Sequence, residues 1–121
     1  MAGKFCVTIT QCKSDEDKAT LGFVVANAAV GSDKETMVFL SADGVWAAVK
    51  GEMEKVSVGA PFAPLSELVG KFTANGGKIL VCSPCIKKRG ITEDMLIDGA
   101  VAAGGAALVE WLSQGSPCVG Y

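Results

Sequence analysis

The sequence contains no histidine, and only 7% of its 121 residues are aromatic. Without histidine the chain cannot form a Ser-His-Asp triad, a Cys-His pair or a His-ligated zinc site, and it lacks the commonest general base near neutral pH. Any chemistry must therefore depend on sulfur, carboxylates, lysine or the backbone.

Long apolar runs and strong basic clusters are also missing. The longest apolar stretches, Leu21 to Val30 and Gly99 to Val109, are shorter than the ~18 residues that span a bilayer. The formal net charge is -2 and the basic run is limited to residues 87–89, so the clustered positive charge that is typical of a nucleic-acid-binding protein is absent. No apolar stretch of signal-peptide length precedes the first strand. We therefore expect a cytoplasmic protein with neither membrane nor nucleic acid as a partner.

Five cysteines are the unusual feature of what is present. Half of the residues are hydrophobic and a fifth are charged, which is typical of a globular protein, and the length fits a single domain over residues 1–121. Stable disulfides are rare in a reducing cytoplasm, and an odd number of cysteines cannot pair completely. The cysteines are therefore expected to be buried, catalytic or metal-bound.

Short strands alternate with helices along the chain, which predicts an α/β three-layer sandwich with a small, mostly parallel sheet of about five strands flanked by helices. Ser14 is expected to cap the first helix and Asp43 the second. The predicted strands cover residues 4–10, 36–41, 78–82, 100–103 and 117–121, and the predicted helices cover 15–30, 43–50, 65–74, 93–98 and 105–114.

Two of the predicted helices, the first (15–30) and the last (105–114), are apolar on nearly every face. Glu110 is the only charge in the last helix. A helix without a polar face implies a second burial partner in a domain this small, so we expect a homo-oligomer. The alternative is that small residues such as Ala26 and Ala28 tolerate exposure.

The most informative segment, residues 78–91, contains a Cys-x-x-Cys pair formed by Cys82 and Cys85. Cys82 ends a predicted buried strand, at the edge where open α/β sheets bind their ligands. The following helical turn and the cations at 87–89 are expected to favour the thiolate. A reactive thiolate with a second thiol nearby suits persulfide formation or disulfide exchange.

Other interpretations of the pair stay open. A structural zinc site needs four ligands, and the remaining cysteines, Cys6, Cys12 and Cys118, are irregularly spaced. A thioredoxin-like dithiol would follow an early strand, and buried cysteines are often inert packing residues. The glycines show no G-x-G-x-x-G spacing for a phosphate loop. We therefore expect neither a metal nor a cofactor.

The strand that ends in Cys82, the short turn after it and Arg89-Gly90-Ile91 resemble the DsrE/DsrF-like family of sulfur-relay proteins. The order of elements is similar along nearly the whole chain. The resemblance implies a small parallel α/β sheet, assembly into trimers or hexamers, and Cys82 as the acceptor of sulfur in a persulfide. It also implies a site under the loop at residues 41–44, where Asp43 either lines the pocket or caps a helix. Cys85 is a difference from the family, whose members do not generally require a second thiol beside the one that carries sulfur. Its presence would allow a disulfide to form between Cys82 and Cys85.

The expected function is thus a cytoplasmic, sulfurtransferase-like sulfur carrier that takes sulfur from a donor protein on Cys82 and passes it to a partner thiol. Arg89 would stabilise the anion, and Cys12 would approach Cys82 if the first and third strands are near neighbours. Two alternatives remain, namely a thiol-disulfide redox protein that cycles Cys82 and Cys85, and a non-enzymatic binding subunit. Cys6 and Cys118 are given no role.

Overall fold

A five-stranded sheet forms the centre of the computed structural model, which describes residues 3–121. Each neighbouring pair of strands is parallel, and the strand order is β4-β3-β2-β1-β5. The strands are β1 (Lys4–Ile9), β2 (Glu35–Leu40), β3 (Lys78–Cys82), β4 (Ala100–Ala103) and β5 (Cys118–Gly120). The predicted small α/β sheet is confirmed, and it is wholly parallel.

Helices cover both faces of this sheet. On one face α1 packs against β1, β2 and α2, and α2 packs against β3. On the other face Trp111 of α4 packs against Cys6, Met37 and Phe39 of the sheet. The helices are α1 (Glu16–Gly31), α2 (Leu65–Ala74), α3 (Ser83–Lys88) and α4 (Gly105–Leu112). This arrangement is the expected sandwich of three layers.

The larger part of the core lies between the sheet and the pair α1 and α2. Phe23 of α1 and Phe72 of α2 meet edge to face, with ring centroids 5.8 Å apart. Beneath them β2 is buried from Thr36 to Leu40, because a central parallel strand is covered on both faces. The central strands are therefore held firmly, and their carboxyl ends form a rigid edge for a site.

The first helix begins one residue later than the capping pattern predicts. Asp15 is the N-cap, and its side chain accepts a hydrogen bond from the backbone N–H of Lys18 at 3.1 Å. Ser14 does not cap the helix because its hydroxyl donates to the carboxylate of Asp43. The prediction of a Ser14 cap is wrong, since a distant carboxylate competes for the same hydroxyl.

Two predicted helices are shorter and tighter than expected. The segment after β2 is a 3₁₀ helix at Ala42–Ala48, and Ser41, not Asp43, occupies its N-cap position without a side-chain hydrogen bond. The second is a single 3₁₀ turn at Glu93–Met95. Short runs with few intrahelical hydrogen bonds commonly take the 3₁₀ form. The prediction that Asp43 caps a helix is therefore wrong.

Exposed apolar side chains lie on α4 and on the edge strand β4. Val109 of α4 is 64% exposed and Val101 of β4 is 59% exposed. These side chains fit the predicted self-association, which stays a prediction. Within residues 3–121, the helices are all too short or too polar to cross a membrane.

Candidate thiol site

Two half-buried cysteines lie at the carboxyl edge of the sheet. Cys82 is the last residue of β3 and the N-cap residue of α3, and Cys85 lies within the first turn of that helix. Their Sγ atoms are 2.7 Å apart, which exceeds the ~2.05 Å of a disulfide bond, and both cysteines are free. The structure thus brings together the two thiols that the sequence singled out.

A backbone N–H from the loop after β2 contacts this pair. The N–H of Ala42 donates to Sγ of Cys85 at 3.2 Å. Ala42 has a φ of 52°, in the left-handed region that residues other than glycine rarely adopt. Two residues later, a Cβ on Gly44 would overlap the carbonyl oxygen of Ile9. The close approach of this loop to β1 therefore requires glycine at position 44.

Ala42 is the site residue that sequence reasoning missed. An alanine carries no mark of a left-handed conformation, and its contribution comes from a backbone group that every residue except proline possesses. The available signals were the glycine at position 44 and the family resemblance, which implied a site under residues 41–44. That implication agrees with the observed contact between Ala42 and Cys85.

Arg89 lies at the other end of α3 and is also half-buried. Its Nη1 donates to the backbone oxygen of Cys85 at 3.1 Å, which holds the guanidinium beside the thiol pair. The positive charge lowers the pKa of Cys82. Arg89 can therefore partly compensate a negative charge that develops on this sulfur.

The balance of effects nevertheless raises the pKa of Cys82 above its ordinary value. Burial of the sulfur is the largest cause and the side chain of Cys85 is the next, and both outweigh the lowering by the Cys85 backbone N–H and by Arg89. The N–H of the helical turn and the Arg89 charge thus act in the expected direction, but the net pKa of Cys82 is raised, so the expectation that the thiolate predominates over the thiol is wrong for the resting dithiol. Desolvation of the sulfur dominates because Cys82 is half-buried.

Asp43 connects the loops that follow β1 and β2. Its Oδ2 accepts hydrogen bonds from the backbone N–H of Cys12 at 2.6 Å, the backbone N–H of Ser14 at 3.0 Å and the Ser14 hydroxyl at 2.9 Å. Burial opposes the charged form, but these hydrogen bonds together hold the pKa of Asp43 below its usual value. We therefore assign Asp43 a positioning role, since it anchors the residue next to Ala42.

Cys12 lies on the same sheet edge but beyond an intervening strand. β2 separates β1 from β3, so the ends of these strands are roughly 9–10 Å apart. The adjacency on which an approach of Cys12 to Cys82 depended is therefore not present. Cys12 is 1% exposed, and burial, followed by the charge of Asp43, raises its pKa to about 12. This thiol is protonated near neutral pH.

The remaining cysteines form a separate pair across β1 and β5. Cys6 and Cys118 are directly in register, with Cys6 buried and Cys118 exposed. Burial first, and the neighbouring Cys118 second, raise the pKa of Cys6 to about 12. Within residues 3–121 no three Cys, Asp or Glu side chains group as candidate metal ligands, so the Cys82 and Cys85 pair gains no further ligands there.

A cleft of about 460 Å³ begins one residue beyond Cys82. Ser83, Ile86 and Lys87 of α3 form one side of it, and residues 92–94 form another. The lining therefore combines three apolar side chains, those of Ile86, Ile91 and Ala102, with charges of both signs. The cleft adjoins the thiol pair through Ser83, the residue that follows Cys82.

A wholly parallel α/β sheet with a dithiol at its carboxyl edge defines a class of small thiol-bearing α/β proteins. Residues 3–118 match the DsrE/DsrF-like family, and the chain belongs to that family. The ychN protein from E. coli has the same fold, with a TM-score of 0.76 and 21% identity over 98% of this chain and 99% of that one. A protein of unknown function from Methanobacterium thermoautotrophicum gives a TM-score of 0.75 and 16% identity over 98% of this chain and 100% of its own.

Two relatives by sequence are uncharacterized proteins. An uncharacterized protein of Methanocaldococcus jannaschii is 35% identical over 98 residues, which are 81% of this chain and 35% of that protein. The chain thus spans about a third of the length of that relative. An uncharacterized protein of Methanopyrus kandleri is 27% identical over 108 residues, or 89% of this chain and 85% of its own. The family consists generally of sulfur-relay proteins, while these relatives supply no activity.

Proposed function

We propose that the protein is a sulfur carrier with sulfurtransferase-like activity, in which Cys82 accepts sulfane sulfur as a persulfide and passes it to a partner thiol. The observation that carries the proposal is the position of Cys82, which is half-buried at the carboxyl end of β3 beside a second thiol and the Arg89 guanidinium. Membership of a family of sulfur-relay proteins supports the same chemistry.

Transfer requires two exchange reactions at sulfur. In the first, the Cys82 thiolate attacks the outer sulfur of a donor persulfide, so that the donor leaves as a thiolate. In the second, an acceptor thiolate attacks the outer sulfur on Cys82 and restores the Cys82 thiolate. The raised pKa of Cys82 limits the thiolate fraction but makes the thiolate, once formed, a stronger nucleophile. Arg89 offsets the negative charge in both steps.

The proposed carrier operates in the cytoplasm with a donor protein and an acceptor protein. It self-associates, as trimers or hexamers by analogy with the family resemblance, and the exposed Val101 and Val109 support this part of the proposal. The cleft that begins at Ser83 supports docking of an acceptor segment, because it lies directly beside the strand end that carries Cys82.

A persulfide donor tests the carrier directly. The Cys85→Ser protein is incubated with glutathione persulfide, freed of donor by gel filtration, and analysed by intact and peptide mass spectrometry. We expect a gain of about 32 Da, one sulfur atom, on the peptide that contains Cys82. The Cys82→Ser protein is expected to gain nothing there, and Cys118→Ser, which removes an exposed thiol elsewhere, is the matched control. Failure of Cys82 to gain sulfur would refute the proposal.

Thiol-disulfide exchange is the second candidate function, and the 2.7 Å separation of the Cys82 and Cys85 sulfurs favours it. In this case the pair cycles between dithiol and disulfide with a partner dithiol, and no sulfane sulfur is involved. Incubation of the wild-type protein with glutathione disulfide distinguishes the two functions. Rapid loss of two hydrogens between Cys82 and Cys85, together with no sulfur uptake by Cys85→Ser, would favour redox exchange over carriage.

A further inference from the structure

The second thiol lies where it would contact the inner sulfur of a persulfide. In a persulfide on Cys82, the inner sulfur is the Sγ atom and the transferable sulfur is bonded beyond it. Sγ of Cys85 lies 2.7 Å from that inner sulfur, within the distance at which two sulfurs react. A partner thiol arriving from outside attacks the outer sulfur instead. The two nucleophiles thus compete for different atoms of the same group.

The surroundings of Cys85 suit a nucleophile. The backbone N–H of Ala42 donates to its Sγ at 3.2 Å, and a hydrogen bond from an N–H group stabilises an anionic acceptor more than a neutral one. The left-handed backbone of Ala42 is what presents this N–H, and Asp43 anchors the same loop to residues 12–14. The donor is therefore already in place before any reaction begins.

We infer that Cys85 discharges the persulfide on Cys82, that is, removes its outer sulfur, when no acceptor thiol has taken that sulfur. The products are hydrosulfide and a disulfide between Cys82 and Cys85. This inference rests on the proposed function. The Cys85 thiolate attacks Sγ of Cys82, the bond between Sγ and the outer sulfur breaks, and the outer sulfur leaves with the bonding electron pair. The outer sulfur is reduced to sulfide while the two cysteine sulfurs are oxidised, so no external oxidant is required.

Discharge has two consequences for the carrier. It limits the lifetime of the persulfide, so that sulfur reaches an acceptor only when one docks promptly. It also blocks Cys82 against a further sulfur atom until an external dithiol reduces the disulfide. The site therefore returns to the carrier state only in the presence of such a reductant.

Sulfide release tests the inference. Wild-type, Cys85→Ser, Cys82→Ser and Cys118→Ser proteins are each treated with glutathione persulfide, freed of donor, and sampled over time for hydrosulfide with monobromobimane. We expect wild type and Cys118→Ser to release one hydrosulfide per persulfide at least about 100-fold faster than Cys85→Ser, because the attacking thiol is already positioned. Peptide mapping of the wild type should show the Cys82 to Cys85 disulfide, with a loss of about 2 Da.

The outcomes separate the inference from the proposed function. Retention of sulfur on Cys85→Ser, with discharge by the wild type, supports both. If wild type and Cys85→Ser retain sulfur on Cys82 equally well, the inference is wrong and the carrier stands. If Cys85→Ser takes up no sulfur although circular dichroism shows it to be folded, the carrier is wrong and the inference fails with it. A Cys85→Ala protein, measured in the same way, guards against an effect of the serine hydroxyl.

Discussion

The carboxylate of Asp43 accepts a 2.6 Å hydrogen bond from the backbone N–H of Cys12, and so joins the loops that follow β1 and β2. The same oxygen accepts two further hydrogen bonds from Ser14. Because Ala42 directly precedes Asp43, this connection also holds the N–H that contacts Cys85. A carboxylate that does not contact the Cys82 and Cys85 sulfurs thus helps to position a hydrogen-bond donor of that pair.

Replacing Asp43 by alanine should lower the free energy of unfolding at pH 7 by about 1–3 kcal/mol, since three donors lose a charged acceptor. The lowered pKa of Asp43 means that this stabilisation is present above the unfolded pKa and is lost as the pH falls through the folded one. Urea denaturation at pH 7 and at pH 3 should therefore show a smaller difference between wild type and variant in acid. Asp98→Ala, at an exposed turn, is the control, and an equal loss in both variants would contradict the assignment.

Gly44→Ala should be among the most disruptive small changes in the chain. The new Cβ would overlap the carbonyl of Ile9, a backbone group that cannot rotate away, and overpacking of this kind costs about 1–3 kcal/mol or more. Thermal unfolding should show the loss, and hydrosulfide release by Cys85 should slow because Ala42 moves. Gly70→Ala, in an exposed and open position of α2, should instead raise stability by about 0.5–1 kcal/mol. Similar melting temperatures for the two variants would show that the loop tolerates a side chain.

The sheet was predictable from sequence because a buried parallel strand has a local signature. The apolar run of β3, ended by the helical segment that follows Cys82, identifies both a strand and its carboxyl end. The spacing of Cys82 and Cys85 places the thiols within one helical turn, whatever the rest of the chain does. Element ends were less predictable, as with Ser14, because its hydroxyl binds a carboxylate about 30 residues away.

The electrostatics of the site were not predictable in the same way. Nearby cations are visible in sequence, and one of them, Arg89, lowers the pKa of Cys82. The depth at which folding buries the sulfur is not visible, and it has the larger effect on the pKa. The conformation of Ala42 is equally hidden, because it results from packing of the loop against β1.

Arg89→Ala should shift the pH profile of Cys82 alkylation to higher pH. The guanidinium lowers the pKa of Cys82, so its removal leaves burial less opposed and delays thiolate formation as the pH rises. The profile is measured with iodoacetamide and peptide mass spectrometry in a Cys85→Ser background, which removes the second thiol. Lys88→Ala removes an exposed cation from the same helix and should leave the midpoint unchanged. A shift of equal size with Lys88→Ala would point to net charge and not to Arg89.

Thiol labelling should distinguish the five cysteines by their burial. Cys118 is exposed and should react with iodoacetamide in the native protein, whereas Cys6 and Cys12 are buried, with pKa values raised to about 12. Native labelling of both buried cysteines is expected to be at least about 100-fold slower than in urea, since it requires opening of the core. Rapid labelling of Cys12 in the native state would show that the loop after β1 opens freely.

Burial of Cys12 should also make stability depend on alkaline pH. Its pKa is raised to about 12 in the folded protein, so folding favours the protonated thiol, and the resulting stability is present below the unfolded pKa and is lost as the pH rises through the folded one. Between about pH 9 and 11, the unfolded chain releases this proton and the folded chain keeps it, which lowers the free energy of unfolding by about 1.4 kcal/mol per pH unit.

Cys12→Ala should remove the contribution of this thiol to the slope of the free energy of unfolding against pH, whatever the substitution does to stability at pH 7. Urea denaturation in a reducing buffer, repeated at intervals from pH 8 to pH 11, gives the slopes for wild type and variant. Val45→Ala, a buried truncation without a titrating group, should lower stability at every pH and keep the wild-type slope. The same slope in Cys12→Ala as in wild type would mean that this thiol ionises equally well in the folded and unfolded chains, and that its protection from solvent is lost at high pH.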